Sequence, residues 1–214
     1  MIYRHNRVNK KKIEVPEPEK TTFYIIRHGQ TPLNANDEIR GWLNVPLDDK
    51  GHKDARKMGE ELKNEGIDCL YVSDLLRTRE TAQEIQKESG IPIKEVVFWL
   101  RPWNLGKYTG KPVKDSMASI KHYATDEPLI SIPEGESFYE FKNRFFEGIF
   151  GLRYGGKKIG LVTHHRNDRL FASWERAGMP DNKALDLDVM FQKGIKPGTW
   201  RKQGDKVDTE GSDT

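Results

Sequence analysis

Short apolar runs alternate along this chain with stretches of helical spacing. Phe23-Tyr24-Ile25-Ile26 is a β-rich run that stops at Arg27-His28-Gly29. Over 52–65, Ala55, Met58 and Leu62 fall on one helical face, with Asp48 or Asp49 to cap its start and Gly51 and Gly66 bounding it. A second strand is predicted over 67–72 (IDCLYV), a second helix over 75–89 stopped by Gly90, and a third strand over 93–100 (IKEVVFWL). Ser137 with Glu140 reads as a capping box, opening a helix whose buried stripe is Phe138, Phe141, Phe145 and Ile149. A fourth strand follows over 158–163, then a helix over 166–177 ended by Gly178 and Pro180, and an edge strand over 186–192. The stretch 106–135 has no readable period and is expected to be an irregular excursion.

Strand and helix in turn, with continuous apolar strands, predict an α/β fold. The expected form is a three-layer sandwich, a largely parallel central sheet with helices on both faces. In such sheets ligands bind beyond the carboxyl ends of the strands, where strand order reverses. The residues that follow each predicted strand are therefore the ones that count. They are Arg27 and His28, then Ser73, Asp74 and Arg77, then 101–106, and finally His164 and His165.

Composition narrows the picture further. The 214 residues fit one domain, expected over 21–202, between a basic polar tail over 1–20 and a flexible polar tail over 203–214. No run approaches the ~18 apolar residues of a membrane span, and the basic N-terminus leads into EVPEPEK rather than an apolar run, so no signal peptide is predicted. A single cysteine, Cys69, rules out an internal disulfide framework. The 36 basic and 33 acidic residues are nearly balanced, and the densest basic run, over 4–12, lacks apolar periodicity and reads as a solvated tail. The expectation is a cytoplasmic protein that engages neither nucleic acid nor membrane. Sequence does not fix its oligomeric state, and a homodimer is compatible with it.

Two histidines and two arginines thus converge, by topology, on one end of a sheet. Guanidinium forks fit phosphate oxygens. An imidazole among cations resists protonation and stays nucleophilic at neutral pH. The combination suits phosphoryl transfer through a phosphohistidine.

RHGQTPLN at 27–34, RGWLNVPLDDKGHKDA at 40–55, SDLLRTRETA at 73–82, PEGESFYEF at 133–141 and LVTHHRNDRL at 161–170 resemble, in order, five segments of the histidine phosphatase superfamily, the phosphoglycerate mutase-like phosphatases. The resemblance implies the phosphoglycerate mutase-like fold, a small phosphorylated substrate, and no metal or other cofactor. It implies His28 as nucleophile, with Arg27, Arg77 and His164 on the transferred phosphoryl group. Thr31 and Asn34 would be contacts in the phosphate pocket, Asn34 the first candidate of the two, and His165 would narrow the pocket or touch substrate. Gly41 and Trp42 would shape its floor or pack the core.

One position departs from that pattern. Where the family commonly carries a glutamate that protonates the leaving oxygen, this chain has Pro102. Loss of a general acid costs on the order of 10²–10⁴ in rate. Asp115, Glu134, Glu136 and His165 are the remaining candidates for a proton donor. Otherwise the substrate carries a good leaving group, such as an anhydride, aryl phosphate or phosphoramidate, or the protein binds phosphate esters without turnover. The expected function is a metal-independent phosphatase. The alternatives are a catalytically weak phospho-ligand sensor and a phosphomutase.

Other patterns weigh less. His165 with Asp168 lacks a third ligand for zinc. GKYTGKP at 106–112 has Pro112 where a nucleotide-binding loop needs Ser or Thr. Cys69 is not followed by the arginine of a cysteine phosphatase and is expected to be a small buried strand residue. Trp103 and Tyr108 are expected in the core, with an entrance to the site as the alternative. Lys107, Lys111, Lys114 and Lys121 read as solvated lysines on the excursion, with attraction of an anionic substrate as the alternative.

Overall fold

The computed structural model describes residues 18–205; most of the predicted N-terminal tail, and the C-terminal tail beyond 205, lie outside them. In chain order the elements are β1 (Thr22–Arg27), α1 (Pro32–Ala35), α2 (Asp49–Leu62), β2 (Cys69–Ser73), α3 (Leu76–Ser89), β3 (Ile93–Val97), α4 (Val113–Thr125), α5 (Phe138–Leu152), β4 (Lys158–Thr163), α6 (His165–Arg176), α7 (Leu187–Met190) and β5 (Trp200–Lys202). The strands form one sheet in the order β3-β2-β4-β1-β5. β1, β2, β3 and β4 pair in parallel, and β5 runs antiparallel along β1.

The alternation of side chains along β1 divides the core between two faces. Phe23 and Ile25 point into a layer with Phe141, Phe145, Phe146 and Ile149 of α5 and Leu170, Phe171 and Trp174 of α6. Tyr24 and Ile26 point the other way, against Ala55, Met58 and Leu62 of α2 and Ala82 and Ile85 of α3. Helices therefore cover both faces, as the pattern predicted.

Local signals act where the sequence places them. Asp48 caps α2 by accepting from the Gly51 amide, Ser137 and Glu140 close a capping box on α5, and Gly90 ends α3 in the left-handed conformation. Gly29 and Gly51 mark the tightest crossing. A Cβ at Gly29 would meet the Gly51 carbonyl, and a Cβ at Gly51 the Gln30 carbonyl. Only two glycines let α2 start against the loop behind His28.

Three expectations need correction. The third strand ends at Val97, and Phe98–Leu100 turns into a 3₁₀ helix. Residues 186–192 form no edge strand: Asp186 caps the short helix α7, and the edge position belongs to β5. The excursion over 106–135 is not irregular throughout, since α4 occupies its middle. Cys69 is half-buried in β2, and burial raises its thiol pKa.

Candidate active site

β1 and β4 are adjacent and parallel, with Arg27 opposite Thr163. The next residue of each strand is a histidine, so register alone brings His28 and His164 together. Their rings lie 5.2 Å apart, both almost fully buried. Arg27, the last residue of β1, and Arg77, in the first turn of α3, join them on the wall of one cavity of about 680 Å³. Asn34 and His165 line the same cavity.

Hydrogen bonds fix the state of the first imidazole. His28 Nδ1 is 2.7 Å from the Gly29 carbonyl oxygen, which can only accept, so the proton sits on Nδ1 and Nε2 carries the lone pair. Burial, then the charges of Arg77, Arg40 and Arg27, hold this imidazole well below its ordinary pKa of 6.5. His164 is lowered likewise, by burial and then Arg77. Its Nε2 is 2.9 Å from Ser73 Oγ, and its buried Nδ1 has no partner. His165 Nδ1 receives Arg27 Nη1 at 3.1 Å, and this ring too is held well below 6.5, by burial and then Arg27.

The guanidiniums are held by main chain. Arg77 donates to the carbonyls of Leu43 and Gly41, and Arg27 to that of Ile195 at 2.6 Å. Each keeps a buried Nε without a partner. Burial, and then repulsion from Arg40, push both down to about 9. Such a cluster gains by taking up an anion.

Other predicted residues fall elsewhere. Thr31 does not line the cavity. It is the N-cap of α1, its hydroxyl donating to Asn34 Oδ1 at 3.0 Å, so it orients Asn34. Asp115 sits exposed in the first turn of α4 and Glu134 exposed on a turn. Glu136 is held by Arg144 at 2.7 Å and by the Asn104 amide. None of these three carboxylates lines the cavity, whereas Pro102 does. Its carbonyl accepts from Trp42 Nε1 at 2.8 Å. Trp103 also lines the cavity while buried against Phe141. Asp168, weighed as a metal ligand beside His165, spends its oxygens on Arg169, Arg201 and the Ile195 amide. Among the described residues no group of three or more His, Cys, Asp or Glu is placed to hold a metal ion.

Sequence reasoning gave no role to Arg40, Gln30, Asp37, Glu38 or Arg166, all of which line the cavity. Arg40 precedes Gly41 in the RGW segment, and that adjacency to the predicted pocket floor was the available signal. Of the four lysines on the excursion, Lys114 reaches the cavity wall.

Comparison with known proteins gives a match between residues 23–190 and the model of the histidine phosphatase superfamily (branch 1). The chain is 32% identical over 148 residues to phosphoglycerate mutase-like protein 4 of Arabidopsis thaliana, covering 65% of this chain and 64% of that one. It is 27% identical over 209 residues to the 2,3-bisphosphoglycerate-dependent phosphoglycerate mutase of Chlamydia muridarum, covering 82% of this chain and 92% of that one. Among solved structures, a mycobacterial glucosyl-3-phosphoglycerate phosphatase in complex with VO₃ shares the fold, with a TM-score of 0.65 and 21% identity over 85% of this chain and 91% of that one.

Proposed function

This chain belongs to the histidine phosphatase superfamily, and on that premise we propose that it is a metal-independent phosphatase, hydrolysing a small phosphorylated compound through a phosphohistidine on His28. The observation that carries the reading is the state of that ring: Nδ1–H bound to the Gly29 carbonyl, Nε2 basic, protonation suppressed by burial and arginines.

In the first step Nε2 attacks phosphorus in line, and the bond to the leaving oxygen breaks. Arg27 and Arg77 bind the equatorial oxygens as charge spreads over them, with His164 as a third contact. Their positive charge supplies the electrostatic stabilisation this chemistry needs. In the second step water attacks the phosphohistidine, the N–P bond breaks, orthophosphate departs and one proton passes to solvent. Asn34, oriented by Thr31, adds a polar contact at the cavity wall.

The test is phosphate release from a panel of phosphorylated compounds, with acid-labile, alkali-stable phosphoenzyme trapped in parallel. His28→Ala is expected to lose both, the rate falling by at least about 10³-fold. Equal release by that variant would sink the mechanism. Vanadate binding without release from any compound would favour a phospho-ligand sensor.

A further inference from the structure

The cavity holds more positive charge than one phosphoryl group takes up. Arg27, Arg40, Arg77, Lys114 and Arg166 line it, against the carboxylates of Asp37 and Glu38. Arg27 and Arg77 belong to the phosphoryl end with His28. The other three come from elsewhere: Arg40 from the loop after α1, Lys114 from the first turn of α4, Arg166 from the first turn of α6. Arg40 Nη1 makes a 3.4 Å contact with the Glu38 carbonyl, and its charge, supported by Asp37, acts on all three imidazoles of the site. The space, about 680 Å³, far exceeds a single phosphoryl group and matches that of a small organic ligand. The same cavity is lined by Pro102, which has no proton to give.

We propose that Arg40, Lys114 and Arg166 form a leaving-group subsite, and that the substrate class is a phosphoanhydride, an organic diphosphate whose terminal phosphoryl group is transferred to His28. The inference rests on the phosphohistidine reading. His28 Nε2 bonds to the terminal phosphorus while the bond from that phosphorus to the bridging oxygen breaks. The electron pair stays on the bridging oxygen, which becomes part of a phosphate monoester. A phosphate monoester has a second pKa of about 6, so it departs as an anion without a proton donor. The three cations hold that charge. An alkyl ester would instead expel a strongly basic alkoxide, which needs a proton that Pro102 cannot give. Water then hydrolyses the phosphohistidine, and the sum is diphosphate plus water giving monoester plus orthophosphate. Leu105, Val113, Met117 and Ile120 supply apolar wall for the organic part.

Three probes test it: methyl diphosphate, para-nitrophenyl phosphate and glycerol phosphate, each assayed for phosphate release. The expected order of kcat/KM is diphosphate, then aryl ester, then alkyl ester. Arg40→Met and Lys114→Met are each expected to lower the diphosphate value by roughly tenfold or more, and the aryl value by a smaller factor. Lys114 is exposed, so its replacement reads the subsite without disturbing the core. Equal factors on both substrates, or glycerol phosphate turned over as fast as the diphosphate, would overturn the assignment. His28→Ala separates the two levels. If it loses aryl phosphate hydrolysis while the Arg40 factors are equal, the phosphohistidine stands and the anhydride falls; if it retains that hydrolysis, both fall.

Discussion

A buried imidazole ringed by guanidiniums has a thermodynamic signature as well as a chemical one. His28 and His164 are held well below 6.5, by burial first and by Arg77 next, and His165 by burial and Arg27. Between those lowered values and 6.5 the unfolded chain binds protons that the folded chain refuses, so acid favours unfolding. The histidines' contribution is therefore complete above 6.5 and lost as pH falls toward the folded-state values, with a slope of up to about 1.4 kcal/mol per pH unit for each ring. Urea unfolding at about pH 7.5 and about pH 5.5 should show the drop, and His28→Ala should make it shallower by one proton's worth. A wild-type stability that does not change over that interval would mean the rings are not shielded as described. Under the proposed mechanism catalysis runs the other way: a His28 ring that stays neutral keeps kcat flat as pH falls through 6.5.

Among the helices, α5 starts where its sequence says. Ser137 accepts from the Glu140 amide, and Glu140 Oε2 accepts from the Ser137 amide at 2.8 Å. Ser137→Ala should cost about 1 kcal/mol in chemical denaturation, with kcat little changed because the cap lies outside the cavity. Signals of this kind are why α2, α3, α5 and α6 were legible in the sequence, each having apolar spacing and a cap or a stop. The third strand was read too long because Phe98, Trp99 and Leu100 are apolar, and an apolar run does not reveal where a chain leaves a sheet for a 3₁₀ turn. Residues 186–192 misled in a similar way, their alternation belonging to a helix of one turn capped by Asp186. The true edge strand, Trp200-Arg201-Lys202, was too short and too basic to register. At the site, the histidines and Arg27 and Arg77 were legible because they lie at strand ends or within a few residues beyond them. Arg40 was not, and Lys114 was only one of four lysines weighed for attracting an anion, because the loop and the excursion that carry them have no period from which to infer direction.

Across the whole molecule, one buried carboxylate joins the core to the site. Asp168 is fully buried between Arg169 and Arg201. Burial alone would raise its pKa, but the two guanidiniums together bring it below the usual value. Its Oδ2 also accepts from the Ile195 amide, and the Ile195 carbonyl accepts from Arg27. Asp168→Asn takes the carboxylate away from buried Arg169 and leaves Arg201 with Glu175 alone, and should destabilise by about 3–5 kcal/mol. In variant that remains folded at low temperature, KM should rise because the loop that steadies Arg27 is loosened; denaturation and steady-state kinetics check the two halves separately. The same loop fastens the end of β1 twice more, Gly198 N–H to the His28 carbonyl and Arg27 N–H to the Thr199 carbonyl. The clasp on His28 thus comes from a segment far along the chain from the strand that it holds. A chain cut before Ile195 would carry every histidine and guanidinium of the phosphoryl end yet leave Arg27 with His165 alone to steady its side chain, so phosphate release should fall in that truncation.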